Sequence, residues 1–280
     1  MPAAPQRDRD KLEALARSLR INIVKSTTAA GSGHPSTSLS MVEILTVLYF
    51  GGVLRYDPAN PDDPDRDRFV LSKGHGAPGL YAVLAAAGYF PEKDLMSLRK
   101  LGSPLEGHPN MCRLAGVEAS TGSLGQGFSI GIGHALAARL DGRSFRVYVM
   151  VGDGESEQGQ IWEAAMYAGN HRLDNLTLIV DRNGYQQTGA VDEIQSLEPL
   201  EDKLRTFGFE VTSVDGHSLD ELAQAFEWAR GVSGRPQAII AGTVKGKGVS
   251  LLEEAPHKWH GKPIPPEEEA KALAEVGGAT

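Results

Sequence analysis

Residues 145–170 read FRVYVMVGDGESEQGQIWEAAMYAGN, and this stretch decides the fold. Its first part, 145–151, is a run of valine and aromatic residues, which is typical of a strand buried on both faces. Its last part, 159–170, places apolar residues at helical spacing, and the loop Gly152-Asp153-Gly154 lies between the two parts. A strand, a glycine-rich loop and a helix in this order form the repeating unit of α/β proteins, so we expect a parallel sheet.

The same alternation of apolar run, polar loop and amphipathic helix continues through the second half of the chain. It predicts a three-layer α/β fold, in which a mostly parallel sheet carries helices on both faces. Two more helices, at about 12–28 and 38–50, precede these units. We assign residues 1–266 to a single domain and residues 267–280 to a peripheral C-terminal tail. The predicted strands are 69–71, 145–151, 176–180, 209–214 and 238–241, and the predicted helices between the later strands are 159–170, 199–207 and 219–230.

Composition excludes several classes of protein. The 280 residues are 41% hydrophobic, which is enough to bury a large core. With 28 basic and 36 acidic residues the formal charge is −8, which argues against nucleic acid as a partner. Cys112 is the sole cysteine, so neither an internal disulfide nor a cysteine-built zinc site can form. Because no apolar run reaches the roughly 18 residues that cross a bilayer, we expect a cytoplasmic protein with no membrane partner.

Polar loops follow the predicted strands at their carboxyl ends, where ligands bind in open α/β sheets. Asp153 follows one apolar run, and Asn183 follows the next. A carboxylate and an amide carbonyl on adjacent strand ends suit a hard divalent ion such as Mg²⁺, which completes its shell with phosphate oxygens and water. Gly152 and Gly154 would let a diphosphate approach the backbone. Two ordinary turns rich in Gly, Asp and Asn are the competing interpretation.

Four histidines lie beside glycine or proline in segments that indicate rigid loops. Imidazoles held in this way can hydrogen-bond sugar hydroxyls or move protons near neutral pH, so together they indicate a shared polar pocket. A single histidine in such a loop is more often structural, and metal ligation is a weaker alternative because the spacings match no compact zinc pattern. The four are His34, His75, His108 and His260.

A third glycine-rich segment, TGSLGQG at 121–127, precedes a predicted helix. Its glycines would admit a flat ring close to the backbone. A helix start with small residues that serve packing is an equally good interpretation of the same letters.

Loop motifs of this kind are spread along nearly the whole chain. In order, they are GSGHPSTS (31–38), DRFVLSKGHGAPGLYAVL (67–84), LEGHPN (105–110), ASTGSLGQG (119–127), VGDGESEQGQIWEAAM (151–166), VDRNGYQQTG (180–189) and KGKGVSLLEEAPHKWHGKP (245–263). This ordered set resembles the N-terminal, diphosphate-binding half of the transketolase family, and the resemblance extends from about residue 10 to residue 266.

The resemblance implies thiamine diphosphate as cofactor, held through Mg²⁺ or, in its place, Ca²⁺ or Mn²⁺. It implies Asp153, Asn183 and the backbone carbonyl of Tyr185 as metal ligands, with Lys73 as a further contact near the cofactor. The cofactor-binding residues that it implies are His75, Gly122, Ser123, Leu124, Gly154, Glu155, Asn183, Gln187, Lys245 and His260.

The resemblance also assigns roles toward the sugar. His34, His75, His108 and His260 would be the catalytic side chains, and His75 and His260 would line the junction of cofactor and substrate. The residues that would bind the sugar phosphate are His34, Thr37, His108 and His260.

Two departures from the family pattern bear on assembly. Gln158 occupies the place of a usual glutamate, with Glu157 before it, while Glu163 keeps a second family acid. The residues that the family's second domain supplies to the aminopyrimidine ring and the sugar phosphate cannot be placed in this sequence. The resemblance therefore implies a separate C-terminal subunit as partner, with two copies of each chain in a heterotetramer.

The implied activity is that of a transketolase subunit in the pentose phosphate pathway. It would transfer a two-carbon ketol unit from a ketose phosphate of the xylulose 5-phosphate type to an aldose phosphate, through a thiamine diphosphate carbanion. One alternative is a split relative with other sugars, similar to deoxyxylulose-phosphate synthase or to a pathway-specific ketose transketolase. Another is a non-catalytic module that binds the cofactor.

Overall fold

Five parallel strands form a sheet in the computed structural model, which describes residues 6–277, with side chains from Arg9 onward. The strand order is β1-β2-β3-β5-β4, and every neighbouring pair is parallel. The predicted α/β class and each predicted strand are confirmed. The strands are β1 (Arg68–Leu71), β2 (Val147–Gly152), β3 (Leu176–Arg182), β4 (Glu210–Asp215) and β5 (Gln237–Gly242).

Helices cover both faces of this sheet. The predicted single helix at 38–50 is wrong in its first part, because the segment forms two helices that meet at the fully buried Met41. The helices are α1 (Gln6–Ala30), α2 (Pro35–Ser40), α3 (Val42–Phe50), α4 (Ala77–Ala86), α5 (Gln126–Leu140), α6 (Gly159–Asn170), α7 (Val191–Ile194), α8 (Leu200–Thr206), α9 (Leu219–Gly231), α10 (Ser250–Glu253) and α11 (Glu269–Glu275).

Two hydrophobic cores lie on opposite faces of the sheet, and alternate residues of each strand enter them. In β2, Tyr148 and Met150 pack into the core formed with α1, α3, α4 and α9. Val147, Val149 and Val151 pack into the other core, with α5, α6 and α8. Side chains of a strand point to opposite faces in turn, so a strand covered on both sides is apolar at every position. Each such buried side chain contributes about 1.5–3 kcal/mol.

The strand order determines which loops meet at the carboxyl edge of the sheet. Gly152 at the end of β2 pairs with Asp181 of β3, and Asp181 pairs with Ala241 of β5. The chain crosses to the outer strand β4 before it returns to β5, so β5 lies beside β3. The loops after β2, β3 and β5 are therefore neighbours, although they are far apart in the sequence.

The segment expected to be a peripheral tail contains α11. Its Ala272 and the following Val276 are buried in the same core as residues of α1. The domain boundary at residue 266 stays a prediction, and residues 1–5 and 278–280 of the proposed domain and tail lie outside the described residues. Among the residues described, no helix combines the length and apolar character needed to cross a membrane.

Two glycines of α5 provide a matched test of the packing between this helix and the sheet. A Cβ at Gly131 would lie 2.3 Å from Val149 Cγ2, whereas a Cβ at Gly133 meets nothing within 4 Å. We expect Gly131→Ala to lower the free energy of unfolding by about 1–3 kcal/mol, as overpacking does. Gly133→Ala should be neutral or raise it by up to about 1 kcal/mol through helix propensity. Chemical denaturation of both variants checks this, and equal effects would contradict the packing described.

Candidate active site

A cavity of about 310 Å³ opens at the carboxyl edge of the sheet, where the loops after β1, β2, β3 and β5 meet. It brings together most of the residues singled out in the sequence, from loops as far apart as those of His34 and His260. The predicted residues that line it are His34, Thr37, Lys73, His75, Gly122, Leu124, Asp153, Gly154, Glu155, Asn183, Tyr185, Gln187, Lys245 and His260.

Two predicted residues do not line the cavity. Ser123 is exposed on the loop that carries Gly122 and Leu124. His108 is also exposed, and its ring packs behind Gly122, where an added Cβ would lie 2.9 Å from its Cδ2 atom. Partial desolvation of its ring, and then the nearby Arg99 guanidinium, lower the pKa of His108.

Several residues of this region were not predicted from the sequence. Asp181 is fully buried, two positions before Asn183. The alternation of strand side chains puts the two residues on one face, and this was the one sequence signal that could have found it. Gln186 approaches Gly154 so closely that a Cβ on the glycine would lie 2.7 Å from the Gln186 Cβ. No sequence signal distinguished Gln186 from its neighbours. The cavity residues that were not predicted as site residues are Glu157, Gln158 and Gln186, and Gly152, which was expected beside a diphosphate, also lines the cavity.

Asp153 is a buried carboxylate, 2% exposed, at the start of the loop after β2. Its Oδ1 accepts a hydrogen bond from Gly154 N at 2.8 Å, and its Oδ2 accepts one from Gly184 N. Burial, together with the nearby Asp181 carboxylate, raises the pKa of Asp153 to about 6. The protein therefore holds an acid whose ionised form is costly unless a cation joins it.

Asp181 and Lys73 form a fully buried ion pair beside Asp153. Ser40 Oγ donates to Asp181 at 2.6 Å, and Thr243 donates to the other carboxylate oxygen. Burial would raise the pKa of Asp181, but the charge and hydrogen bond of Lys73 outweigh it and lower the pKa. Lys73 Nζ also donates to Thr37 Oγ1 at 2.9 Å, so its donors are directed toward groups of the protein.

The polar atoms around Asp153 fit a divalent ion. Asn183 is buried, and its Oδ1 accepts the Tyr185 N–H at 3.2 Å, which fixes the amide beside the acid. The Tyr185 carbonyl accepts from Lys245 Nζ at 3.2 Å and keeps a second lone pair. No cluster of three or more His, Cys, Asp or Glu in the described part of the chain suits a metal. An ion here would need the amide and carbonyl oxygens, completed by phosphate and water.

Glu155 connects three segments of the cavity wall. Its Oε1 accepts from Ser72 Oγ at 2.6 Å and from Gly125 N at 2.8 Å, and its Oε2 accepts from Gly152 N at 3.1 Å. Burial raises the pKa of Glu155. Its carboxylate fixes the loops after β1 and β2 and the start of α5 relative to one another.

Lys245 supplies a positive charge to the cavity although its side chain is almost fully buried. Its Nζ donates to the carbonyl of Gln186 at 3.2 Å and lies 3.0 Å from His260 Nδ1. Because the ammonium donates, His260 Nδ1 is the unprotonated ring nitrogen. Burial lowers the pKa of Lys245 to about 8.

Three imidazoles form a compact group at the cavity. The ring centroids of His34, His75 and His260 lie 5.1–5.4 Å apart. Burial lowers the pKa of His34 to about 4 and that of His260 to about 3, and the pKa of His75 falls well below its usual value. His34 Nδ1 is buried and has no hydrogen-bond partner among the described residues. The group therefore presents neutral rings that can donate and accept hydrogen bonds.

The chain is similar to known proteins over nearly its whole length. A family model described as the transketolase thiamine diphosphate binding domain matches residues 11–279. The 6-deoxy-6-sulfo-D-fructose transketolase subunit SqwG of Clostridium sp. (strain MSTE9) is 51% identical over 223 residues, which are 80% of this chain and 81% of that protein. The transketolase of Rattus norvegicus is 44% identical over 273 residues, which are 96% of this chain but 43% of the rat protein.

Solved structures show the same relationship. The transketolase of Campylobacter jejuni superposes with a TM-score of 0.89 at 36% identity, over 95% of this chain and 43% of that one. A transketolase variant from Pichia stipitis gives 0.90 at 29% identity, over 95% and 41%. The chain thus spans less than half the length of these full transketolases. It belongs to the transketolase family, in which it corresponds to the thiamine diphosphate binding domain.

Proposed function

We propose that this chain is the N-terminal subunit of a cytoplasmic transketolase that acts in the pentose phosphate pathway. It would transfer a two-carbon ketol unit from a ketose phosphate to an aldose phosphate, together with a separate C-terminal subunit, two copies of each chain forming the enzyme. The observation that carries the proposal is the cavity in which Asp153 and Asn183 lie beside the glycine loop at Gly154. Support for a partner comes from the 51% identical relative, which is itself named a subunit.

The cavity residues have different proposed roles, which follow from their chemistry. Asp153, Asn183 and the Tyr185 carbonyl would hold a divalent ion, and Gly154 would admit the diphosphate. When bound, thiamine diphosphate supplies the nucleophilic carbon and the electron sink for cleavage of the donor sugar. Lys245 would place its charge beside the cofactor.

Toward the sugar, the three neutral imidazoles act as hydrogen-bonding groups. His34 has a free ring nitrogen, and neutral rings accept and return protons from sugar hydroxyls more readily than imidazolium ions do. His108 and Thr37 complete the proposed sugar contacts. His108 is exposed and packs against Gly122 outside the cavity lining, so its contact with the sugar stays part of the proposal.

A second candidate differs in the donor sugar. The relative with 51% identity is named for 6-deoxy-6-sulfo-D-fructose, a ketose that carries a sulfonate in place of a phosphate. In the proposed arrangement the cavity residues would contact the ketol end of the donor, which both sugars share. The choice between phosphate and sulfonate therefore rests with groups that bind the far end of the substrate.

The first test is an assay of ketol transfer with Mg²⁺ and thiamine diphosphate. Xylulose 5-phosphate and 6-deoxy-6-sulfo-D-fructose serve in parallel as donors, and ribose 5-phosphate serves as acceptor. We expect activity when the chain is mixed with a C-terminal transketolase subunit expressed from a neighbouring gene, and none with the chain alone. Activity of the chain alone would refute the requirement for a partner. Cofactor binding by the mixture without transfer from either donor would favour a non-catalytic module.

Asp153 provides the test of the metal assignment. Asp153→Asn keeps one oxygen, which can accept from Gly154 N or from Gly184 N but not from both, and it removes the charge. We expect it to weaken Mg²⁺-dependent binding of thiamine diphosphate to the assembled enzyme on the order of a hundredfold, at least the loss seen for outer partners of metal ligands. Titration calorimetry measures this, with Asp202→Ala, an exposed aspartate on α8, as the control. Unchanged Mg²⁺ dependence in Asp153→Asn would remove Asp153 from the metal site.

The low pKa values of His34 and His260 predict how stability depends on pH. In the unfolded chain both rings take up protons near pH 6.5, whereas in the folded chain they do so near 4 and 3. The unfolded state thus binds more protons between these values, so stability is full above about pH 6.5 and falls as the pH is lowered toward 4. Denaturation at a series of pH values checks this, and His260→Gln should make the decline less steep. A decline of equal steepness in that variant would contradict the assignment.

A further inference from the structure

A buried charged network lies outside the cavity and connects α1, α3 and the loop after β4. Both terminal guanidinium nitrogens of Arg20 donate to Glu43, at 2.5 and 2.8 Å. Glu43 Oε2 lies 2.8 Å from His217 Nδ1. The side chains of Arg20, Glu43 and His217 are 11%, 10% and 14% exposed. None of them lines the candidate active site, and the function proposed above assigns them no role.

The hydrogen bonds of His217 determine its tautomer. Val244 N donates to His217 Nε2 at 2.8 Å, and since a backbone N–H can only donate, Nε2 carries no proton. The proton of the neutral ring is therefore on Nδ1, which donates to Glu43. Burial would raise the pKa of Glu43, but hydrogen bonds from His217 and Arg20 outweigh it and lower the pKa to about 2. Glu43 is thus an anion at neutral pH and fixes the ring in the state that accepts from Val244.

Val244 begins the loop 244–247, and the same network also holds the other end of this loop. Arg20 Nε donates to the carbonyl of Lys247 at 3.3 Å. Val244 and Lys247 flank Lys245 and Gly246, and Gly246 has φ of +85°, a conformation that glycine adopts at little cost. Lys245, the residue that reaches the Tyr185 carbonyl and His260, therefore projects from a glycine-containing loop whose two ends are anchored to one buried network.

We propose that His217 is a positioning residue, which, with its tautomer fixed by Glu43, holds the 244–247 loop so that Lys245 reaches into the active-site cavity. Its contact is with backbone at Val244, and it acts on the cavity through Lys245. The geometric part of the proposal is independent of the reaction. Its consequence for cofactor binding rests on the proposed function.

Two substitutions at His217 separate the two hydrogen bonds of the ring. The side-chain amide of His217→Asn reaches the level of Nδ1, so it can donate to Glu43 but not accept from Val244. The longer side chain of His217→Gln places a carbonyl at the level of Nε2, where it can accept from Val244. The two variants remove the same ring, and a general effect of ring removal would appear in both.

The primary readout is the rate at which Lys245 is methylated by formaldehyde and borohydride, followed by mass spectrometry on the full chain. In the parent, Lys245 is 2% exposed and we expect slow modification. His217→Asn should speed it on the order of tenfold, the effect of one lost hydrogen bond, while His217→Gln should stay near the parent. Lys73, 1% exposed in a different element, reports general loosening.

The outcomes are distinguishable. The positioning role is supported if His217→Asn speeds methylation of Lys245 but not of Lys73, and if His217→Gln keeps the parent rate. An unchanged rate in His217→Asn, or an equal rise at Lys73, overturns it. In the assembled enzyme, His217→Asn should also weaken thiamine diphosphate binding. The same substitution made in the Lys245→Met variant should have no further effect, because the effect passes through Lys245. If Lys245 is released and cofactor binding does not change, the proposed contact of Lys245 with the cofactor fails while the positioning role stands.

Discussion

Charge imbalance at the end of the sheet organises the rest of this site. Asp153, Asp181 and Glu155 are buried there with Lys73 and Lys245, so two ammonium groups face three carboxylates. Lys73 pairs with Asp181, while the hydrogen bonds to Asp153 come from backbone N–H groups, so burial raises the pKa of Asp153 to about 6. An ionised carboxylate in such surroundings requires a cation or a proton. Asn183 and Tyr185 line the same cavity. We infer that their oxygens would share a cation with Asp153, and this is the physical basis for expecting a metal-held diphosphate.

Such a site requires that its loops keep fixed positions relative to one another, and buried polar side chains provide that rigidity. Glu155 accepts hydrogen bonds from three separate segments of the wall. The network of Arg20, Glu43 and His217 anchors the loop of Lys245 in a comparable way. Both carboxylates lie deep in the protein with their lone pairs engaged, so each fixes backbone atoms more firmly than an exposed group would. The cavity is therefore preorganised by residues that mostly do not line its centre.

Much of the fold and of the candidate site could be predicted from the amino-acid sequence, for identifiable reasons. Strands buried on both faces are apolar at every position, so β2, β3 and β5 could be recognised in the sequence. The loop beside Asp153 could be recognised by its glycines, because few other residues tolerate such turns. The break at Met41 was not visible, because both halves of 38–50 have helical spacing and the division depends on how Met41 packs in the core. Asp181 was overlooked because an acid at a strand end resembles an ordinary turn residue until its lysine partner is known.

The sequence by itself determined the α/β class, the succession of strands and helices, and the residue types from which a metal and diphosphate site can be built, because these follow from local periodicity and local turn chemistry. The tertiary structure decided which of those residues meet. It placed β5 beside β3, so that Lys245 reaches Tyr185, and it grouped three of the four loop histidines and left His108 exposed outside the cavity lining. It also set the pKa values, since burial and charge partners arise from contacts between distant segments that no local pattern of residues records.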